Sequence, residues 1–198
     1  MTRLSFVAQA AVPSLFGSFQ VAGFREEPGG KEHLAIVSGV IDPQARIPVR
    51  IHSECWTGDV LGSLRCDCRQ QLHAGLEHIA REGGILIYLR QEGRGIGLLN
   101  KLKAYTLQEQ GLDTVEANHA LGFPDDLRDY EAACAILDHF GVRKIRLLTN
   151  NPAKVAALGR TGADVERAPH QVPSHPLNRG YLRTKAGKSG HLLDLARL

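Results

Sequence analysis

At Cys68 the hydrophobic pattern of the chain changes period, and that change constrains the fold more than any other feature. Before it, the runs 17–24, 33–39 and 47–52 alternate apolar with small or polar residues. A period of two puts every second side chain on one face, as in a half-buried strand. Pro28-Gly29-Gly30 marks a turn between the first two runs. Short strands joined by turns predict an antiparallel sheet. After Cys68, Leu72, Leu76, Ile79 and Ala80 fall at helical spacing until Gly83-Gly84 stops the helix. The apolar run 85–89 reads as a buried strand. Helices are predicted over 98–110 and 130–140, then a strand over 144–149, a helix opened by Asn151-Pro152 and a strand over 164–167. Strands alternating with helices imply βαβ units. The expected class is α/β with α+β character: an antiparallel β N-terminal part followed by βαβ units, read as a single domain over 1–198. Residues 168–198, with three prolines before Arg179, read as a loop and a mobile, weakly helical tail.

The chain has 198 residues, of which 43% are hydrophobic and 23% charged, enough to build a core and too apolar to stay disordered. No uncharged apolar run approaches the length of a membrane span. The opening Met1-Thr2-Arg3-Leu4-Ser5-Phe6 lacks the apolar stretch of a secretory leader, so a cytoplasmic protein is expected. Residues 1–159 carry 17 basic and 18 acidic side chains, and 160–198 carry 7 and 3, for a net charge of +3. That excess is too mild for a nucleic-acid stripe, although it suits a surface near an anionic small molecule. Neither nucleic acid nor membrane is expected as a partner.

Three of the four cysteines, Cys55, Cys66 and Cys68, fall within 14 residues, and Cys134 stands apart. A cytosolic chain of this kind uses such a cluster for metal rather than for disulfides. Three thiolates around Zn²⁺ leave one tetrahedral position, which catalytic sites keep for water. Closure by His52 or Cys134 would instead make a structural zinc module. His52-Ser53-Glu54 also matches the H-x-E of zinc nucleobase deaminases, without their P-C-x-x-C element. Glu54, beside the first cysteine, is placed to move a proton. The glycine-rich turn 91–97 joins a predicted strand to a predicted helix, where backbone amides, Arg90 and Arg94 suit a phosphate. Lys101, Tyr105 and Glu109 share one helix face, with Tyr105 a candidate proton donor. Lys154 in a first helical turn opposes the helix dipole, which points to a functional reason.

The motifs then resemble a known family. Arg50-Ile51-His52-Ser53-Glu54-Cys55, Gly62-Ser63-Leu64-Arg65-Cys66-Asp67-Cys68, Arg90-Gln91-Glu92-Gly93-Arg94, Thr114-Val115-Glu116-Ala117-Asn118, Asp126 with Arg128, Leu147-Leu148-Thr149-Asn150-Asn151-Pro152 and the C-terminal Tyr181-Leu182, Thr184-Lys185 and Gly190-His191 are similar to GTP cyclohydrolase II over essentially the whole chain. The resemblance implies hydrolysis of GTP to 2,5-diamino-6-(5-phosphoribosylamino)pyrimidin-4(3H)-one, formate and pyrophosphate, for riboflavin or a related specialised pathway. It implies one Zn²⁺ per subunit on Cys55, Cys66 and Cys68, and Mg²⁺ with the triphosphate. Arg50, Ile51, His52, Ser53, Glu54, Gln71, Glu92, Gly93, Arg94, Thr114, Thr149 and Lys154 would bind GTP. Asp126 and Arg128 would be acceptor and nucleophile, with Tyr105 assisting ring opening or formyl removal. A guanidinium stays protonated, so a phosphate clamp is the more natural role for Arg128. A homodimer is implied, and 198 residues leave no room for the fused synthase domain of many relatives, so a monofunctional enzyme is expected. Arg69-Gln70 depart from the glycine that more often follows the last cysteine.

Overall fold

The computed structural model describes residues 3–198; Met1 and Thr2, which open the segment read for a leader, lie outside the described residues. The strands are β1 (Arg3–Ser14), β2 (Gly17–Glu27), β3 (Glu32–Ser38), β4 (Ile47–Ser53), β5 (Gly84–Leu89), β6 (Lys144–Leu148) and β7 (Asp164–Ala168). The helices are α1 (Trp56–Asp59), α2 (Cys68–Glu82), α3 (Leu98–Glu109), α4 (Thr114–Ala120), α5 (Glu131–His139), α6 (Pro152–Gly159) and α7 (Arg179–Lys188). The chain divides into two compact units. The first comprises residues up to 52 with 72–90 and 129–170, and the second 53–71, 91–128 and 171–198. Among the described residues, no helix is long and apolar enough to cross a membrane.

The first unit holds the sheet, ordered β1-β2-β3-β5-β4-β6-β7. The pairs β1/β2, β2/β3 and β3/β5 are antiparallel, whereas β4/β6 and β6/β7 are parallel. The antiparallel opening and the later βαβ pattern (β6, α6, β7) therefore stand as the periodicity implies. Side-chain alternation sorts the core. Ile85, Ile87 and Leu89 join Ala22, Phe24, Ala35 and Val37 in a cluster with Ala133, Ile136 and Leu137 of α5 and Leu158 of α6. Leu86 and Phe19 face the other way and pack with Ile79, Leu76 and Leu72 of α2. Strand β5 is thus covered on both faces, the physical reason for its uninterrupted apolar run. Gly84, at φ +131°, lies so close to β4 that a Cβ would stand 2.3 Å from the Pro48 carbonyl oxygen. That glycine is required by the strand contact as well as by the helix stop.

Three elements were not evident in the sequence: β1, α4 and the four-residue α1. The edge strand β1 is mostly exposed and alanine-rich, so no face of it carries a clean apolar alternation. Helix α4 has seven residues, too few to show a period, but its cap is legible. Asp113 Oδ1 accepts from Val115 N at 2.8 Å and Glu116 N at 3.0 Å, while Glu116 Oε2 accepts from Asp113 N at 2.9 Å. This is a capping box, readable as Asp-x-x-Glu.

In the second unit, α3 buries Ala104, α4 buries Val115 and Ala117, and α7 buries Leu182. Both clusters of large apolar side chains belong to the first unit. Residues 169–178 have no regular structure, as the prolines imply, and Arg179–Lys188 forms a full helix in the segment read as weakly helical.

Candidate active site

The second unit contains a cleft of about 790 Å³ whose wall includes Cys55, Cys66 and Cys68. Cys55 follows strand β4 and caps α1, and Cys66 and Cys68 flank the start of α2. Their Sγ atoms all lie within 4.8 Å of one another, with Cys55 and Cys66 3.8 Å apart. Tetrahedral ligands at about 2.3 Å from Zn²⁺ stand about 3.8 Å from each other, so the spacing fits that ion. Among the described residues this is the one group of three His, Cys, Asp or Glu donors close enough to share a metal. Buried Gly58 lets α1 approach the thiols. A Cβ there would meet Cys66 Sγ at 3.0 Å, Cys68 Cβ at 3.0 Å and Cys55 Sγ at 3.1 Å.

The electrostatics favour charge at one thiol first. The Cys55 thiol is held well below its usual range, because Cys66 and Cys68 hydrogen-bond to it and the Lys101 ammonium stands 3.1 Å away. Cys66 and Cys68 are raised by that same neighbour and by burial. Ionising all three together requires a cation among them. Burial works against the charge of Lys101, but Cys55 and Glu92 hold its pKa above the ordinary lysine value. Lys101 Nζ is 2.8 Å from Glu92 Oε1. Glu92 is itself buried and accepts from Gly93 N at 2.8 Å and Trp56 N at 2.5 Å.

The opposite chemistry lines the rest of the cleft. The turn Glu92–Gly95 runs through two left-handed residues, Gly93 at φ 62° and Arg94 at φ 60°. A non-glycine held there is a strained conformation fixed by its surroundings. The amides of Gly93, Ile96 and Gly97 are already engaged by Glu92 and Gly93, so side chains, not these three amides, face a ligand. Arg94 Nη1 donates to the Asp125 carbonyl at 3.3 Å, whereas its buried Nη2 has no partner. Buried Thr114 Oγ1 has none either. Arg128 lines the same cleft and is held by Asp126, with Nε 2.8 Å from Oδ1 and Nη2 2.5 Å from Oδ2. Burial raises the Asp126 carboxyl, but these bonds and the Arg128 charge bring it below the usual range. Burial raises the Tyr105 phenol, keeping it protonated near neutral pH. Its hydroxyl is 3.4 Å from Thr57 Oγ1, and the Arg65 guanidinium stands 4.8 Å from its ring centroid.

The family model described as GTP cyclohydrolase II matches residues 5–169. The chain belongs to the GTP cyclohydrolase II family. Riboflavin biosynthesis protein RibBA of Bacillus cytotoxicus is 56% identical over 189 residues, covering 94% of this chain and 48% of that protein. RibBA of Bacillus mycoides is 56% identical over 196 residues, covering 98% and 49%. The chain spans about half the length of these curated relatives. A solved structure of RibBX, a two-domain 3,4-dihydroxy-2-butanone 4-phosphate synthase from A. baumannii, aligns with a TM-score of 0.42 at 23% identity over 74% of this chain and 34% of that one, too slight a likeness to argue from. GTP cyclohydrolase II enzymes are metal-dependent, and Cys55, Cys66 and Cys68 form the group able to hold the ion.

In this member of the GTP cyclohydrolase II family, the second unit brings the three cysteines together with Ser53, Glu54, Glu92, Gly93, Arg94, Tyr105, Thr114 and Arg128 around the cleft. Asp126 reaches it through Arg128, and Gln71 donates to Asp67. The expected Arg50, Ile51, His52, Thr149 and Lys154 belong to the first unit. There Arg50 Nη1 donates to Leu148 O at 2.8 Å, and buried Lys154 Nζ donates to Ile51 O at 2.7 Å. Thr149 Oγ1 accepts from Asn151 N at 3.0 Å, and the His52 ring stacks on Tyr88 at 5.4 Å. Sequence reasoning missed a role for Lys101, although its spacing from Tyr105 was available. Tyr181, quoted in the C-terminal motif without a role, lines the cleft from α7.

Proposed function

We propose that this chain carries the GTP cyclohydrolase II reaction, taking GTP to the diaminopyrimidine ribosyl monophosphate, formate and pyrophosphate in riboflavin synthesis. The observation that carries the reading is the trio of mutually close thiols on the wall of a cleft that Arg94, Thr114 and Arg128 also line. A metal beside bound ligand suits hydrolysis better than a closed structural site, and guanidinium groups suit a polyphosphate.

Cys55, Cys66 and Cys68 would hold Zn²⁺, which when bound supplies a water activated near neutral pH for attack on the imidazole carbon of guanine. Arg94 and Arg128 would bind phosphate oxygens. The rigid Asp126 fork keeps the Arg128 guanidinium in one orientation, so it enters the site already ordered. Mg²⁺ would arrive with the triphosphate and neutralise it further. Glu54, on the cleft wall, would accept a proton as water adds, and Tyr105 would donate one to the departing ring nitrogen. Two waters consumed at that carbon break its two C–N bonds, through the ring-opened formamide, and release it as formate, and a third at the α-phosphorus releases pyrophosphate. Arg50, Ile51, His52, Thr149 and Lys154 are proposed as further GTP-binding residues on the resemblance. A homodimer in the cytoplasm is proposed with it, since reducing conditions keep the thiols available.

Mass spectrometry of the products from zinc-loaded protein, GTP and Mg²⁺ tests the reading. The expected product is the diaminopyrimidine monophosphate with formate and pyrophosphate. Guanine converted with release of ammonia, or unchanged GTP, would sink it.

A further inference from the structure

The turn Cys66-Asp67-Cys68 carries two of the three thiols, and in the second unit it is gripped from the C-terminal segment. Asp67 is only 3% exposed. Its Oδ1 lies 3.1 Å from Lys185 Nζ, and its Oδ2 accepts from Gln71. Asn178, 1% exposed, donates from Nδ2 to the Cys66 carbonyl at 3.3 Å. Its Oδ1 accepts from His175 N at 2.8 Å, which fixes the amide plane. Tyr181 lines the cleft, and Lys185 Nζ stands 4.6 Å from its ring centroid. Residues 178, 181 and 185 are spaced by three and four, so one face of α7 and its cap presents all three side chains. Nothing in the thiol spacing calls for this helix. The contacts are nonetheless specific: an ammonium on the residue between two ligands, and an amide on a ligand's own carbonyl.

A buried carboxylate needs a partner, and Asp67 left alone would also repel the thiolates on either side of it. Lys185 removes both costs and, with Asn178, limits the rotation of the turn. Groups that hold a ligand in place commonly change metal affinity 10–100-fold. We propose that α7 is a working part of the metal centre. Lys185 and Asn178 are positioning residues that fix the Cys66-Asp67-Cys68 turn in metal-ready geometry, and Tyr181 closes one wall of the cleft. The proposal rests on the reading of the three cysteines as metal ligands.

The test is Zn²⁺ affinity by competition with a chromophoric chelator on the reduced full-length chain, paired with the visible spectrum of the Co²⁺ form. Lys185→Met and Asn178→Ala should each weaken Zn²⁺ binding about 10–100-fold. Each should also shift or broaden the Co²⁺ ligand-field bands. The double variant Asp67→Asn with Lys185→Met, which leaves no buried charge unpaired, should recover part of the affinity and so separates positioning from misfolding. Arg183→Met, on the exposed side of α7, should bind as the parent does. Parent-like affinity and spectra in both Lys185→Met and Asn178→Ala would overturn the proposal while leaving the ligand assignment intact. Failure of the parent chain to bind Zn²⁺ would overturn both.

Discussion

Gly58 shows how much one hydrogen atom in place of a methyl group decides. With both Cys66 Sγ and Cys68 Cβ at 3.0 Å from a built Cβ, Gly58→Ala must push the thiols apart or back. We expect Zn²⁺ affinity to fall by about tenfold or more, while the far-UV circular dichroism stays that of the parent. Chelator competition checks it, and unchanged affinity would mean the turn yields without cost. His191 gives a second prediction at this scale. Burial and the charges of Lys185, Arg128 and Arg94 press its pKa down to about 4, while the Ser189 carbonyl works weakly the other way. The unfolded chain titrates near 6.5. Between those values the unfolded state holds the extra proton, so stability is lost as pH falls from 6.5 towards 4. The loss from pH 7 to 5 comes to about 2 kcal/mol. His78, also lowered by burial, acts in the same direction. Urea midpoints at pH 7 and 5 should therefore converge in His191→Gln relative to the parent. An unaltered slope would remove His191 as the cause.

At the scale of elements, caps matter as much as periodicity. Asn151 opens α6 by accepting from Ala153 N at 2.9 Å, and its Nδ2 donates to the Tyr130 hydroxyl at 3.3 Å. Asn151→Ala removes both bonds in a buried setting, so the cost should lie at the upper end of the capping range, about 2 kcal/mol. Chemical denaturation measures it, and a loss below about 0.5 kcal/mol would show the cap to be idle. The Asn-Asn-Pro start of α6 was legible because caps are local chemistry. So were β2 to β4 and α2, whose apolar residues repeat at two or about four, and β5, whose apolar run is unbroken. The thiol trio was legible from spacing alone. Edge strand β1 was not, because an exposed strand needs no alternation. The burial of Lys101 against Cys55 and Glu92 and the reach of α7 to Asp67 were not, because both join residues 46 and 118 positions apart. The sequence marks which residues have chemistry; partners that distant are chosen by the fold.

At the scale of the whole molecule, the two units are stabilised differently. The first buries Ile51, Ile85, Ile87, Leu89, Ile136, Ile145, Leu147 and Leu158 almost completely. Each such side chain contributes about 1.5–3 kcal/mol by leaving water. The second contributes to neither large apolar cluster and has the ion pairs Lys101–Glu92, Lys185–Asp67, Arg65–Glu109, Arg128–Asp126 and Lys188–Glu116, while the first adds pairs such as Arg46–Asp164 and Arg146–Glu82 to its apolar core. Pairs of this kind contribute little net stability when partly exposed, and partial burial adds a desolvation cost. A metal held by three thiolates would therefore be a larger share of the second unit's stability than of the first's, since ligand binding stabilises whatever part must be folded to bind. Removing it with a strong chelator should raise amide hydrogen exchange in residues 53–71, 91–128 and 171–198, including α3, α4 and α7. The amides of β2, β3, β5 and β6 should keep their protection. Exchange followed by mass spectrometry on the full chain, with and without Zn²⁺, reads this directly. Equal deprotection of the sheet would show that the metal stabilises the chain as one cooperative body. No change in either unit would show that the thiol cluster is preformed without its ion.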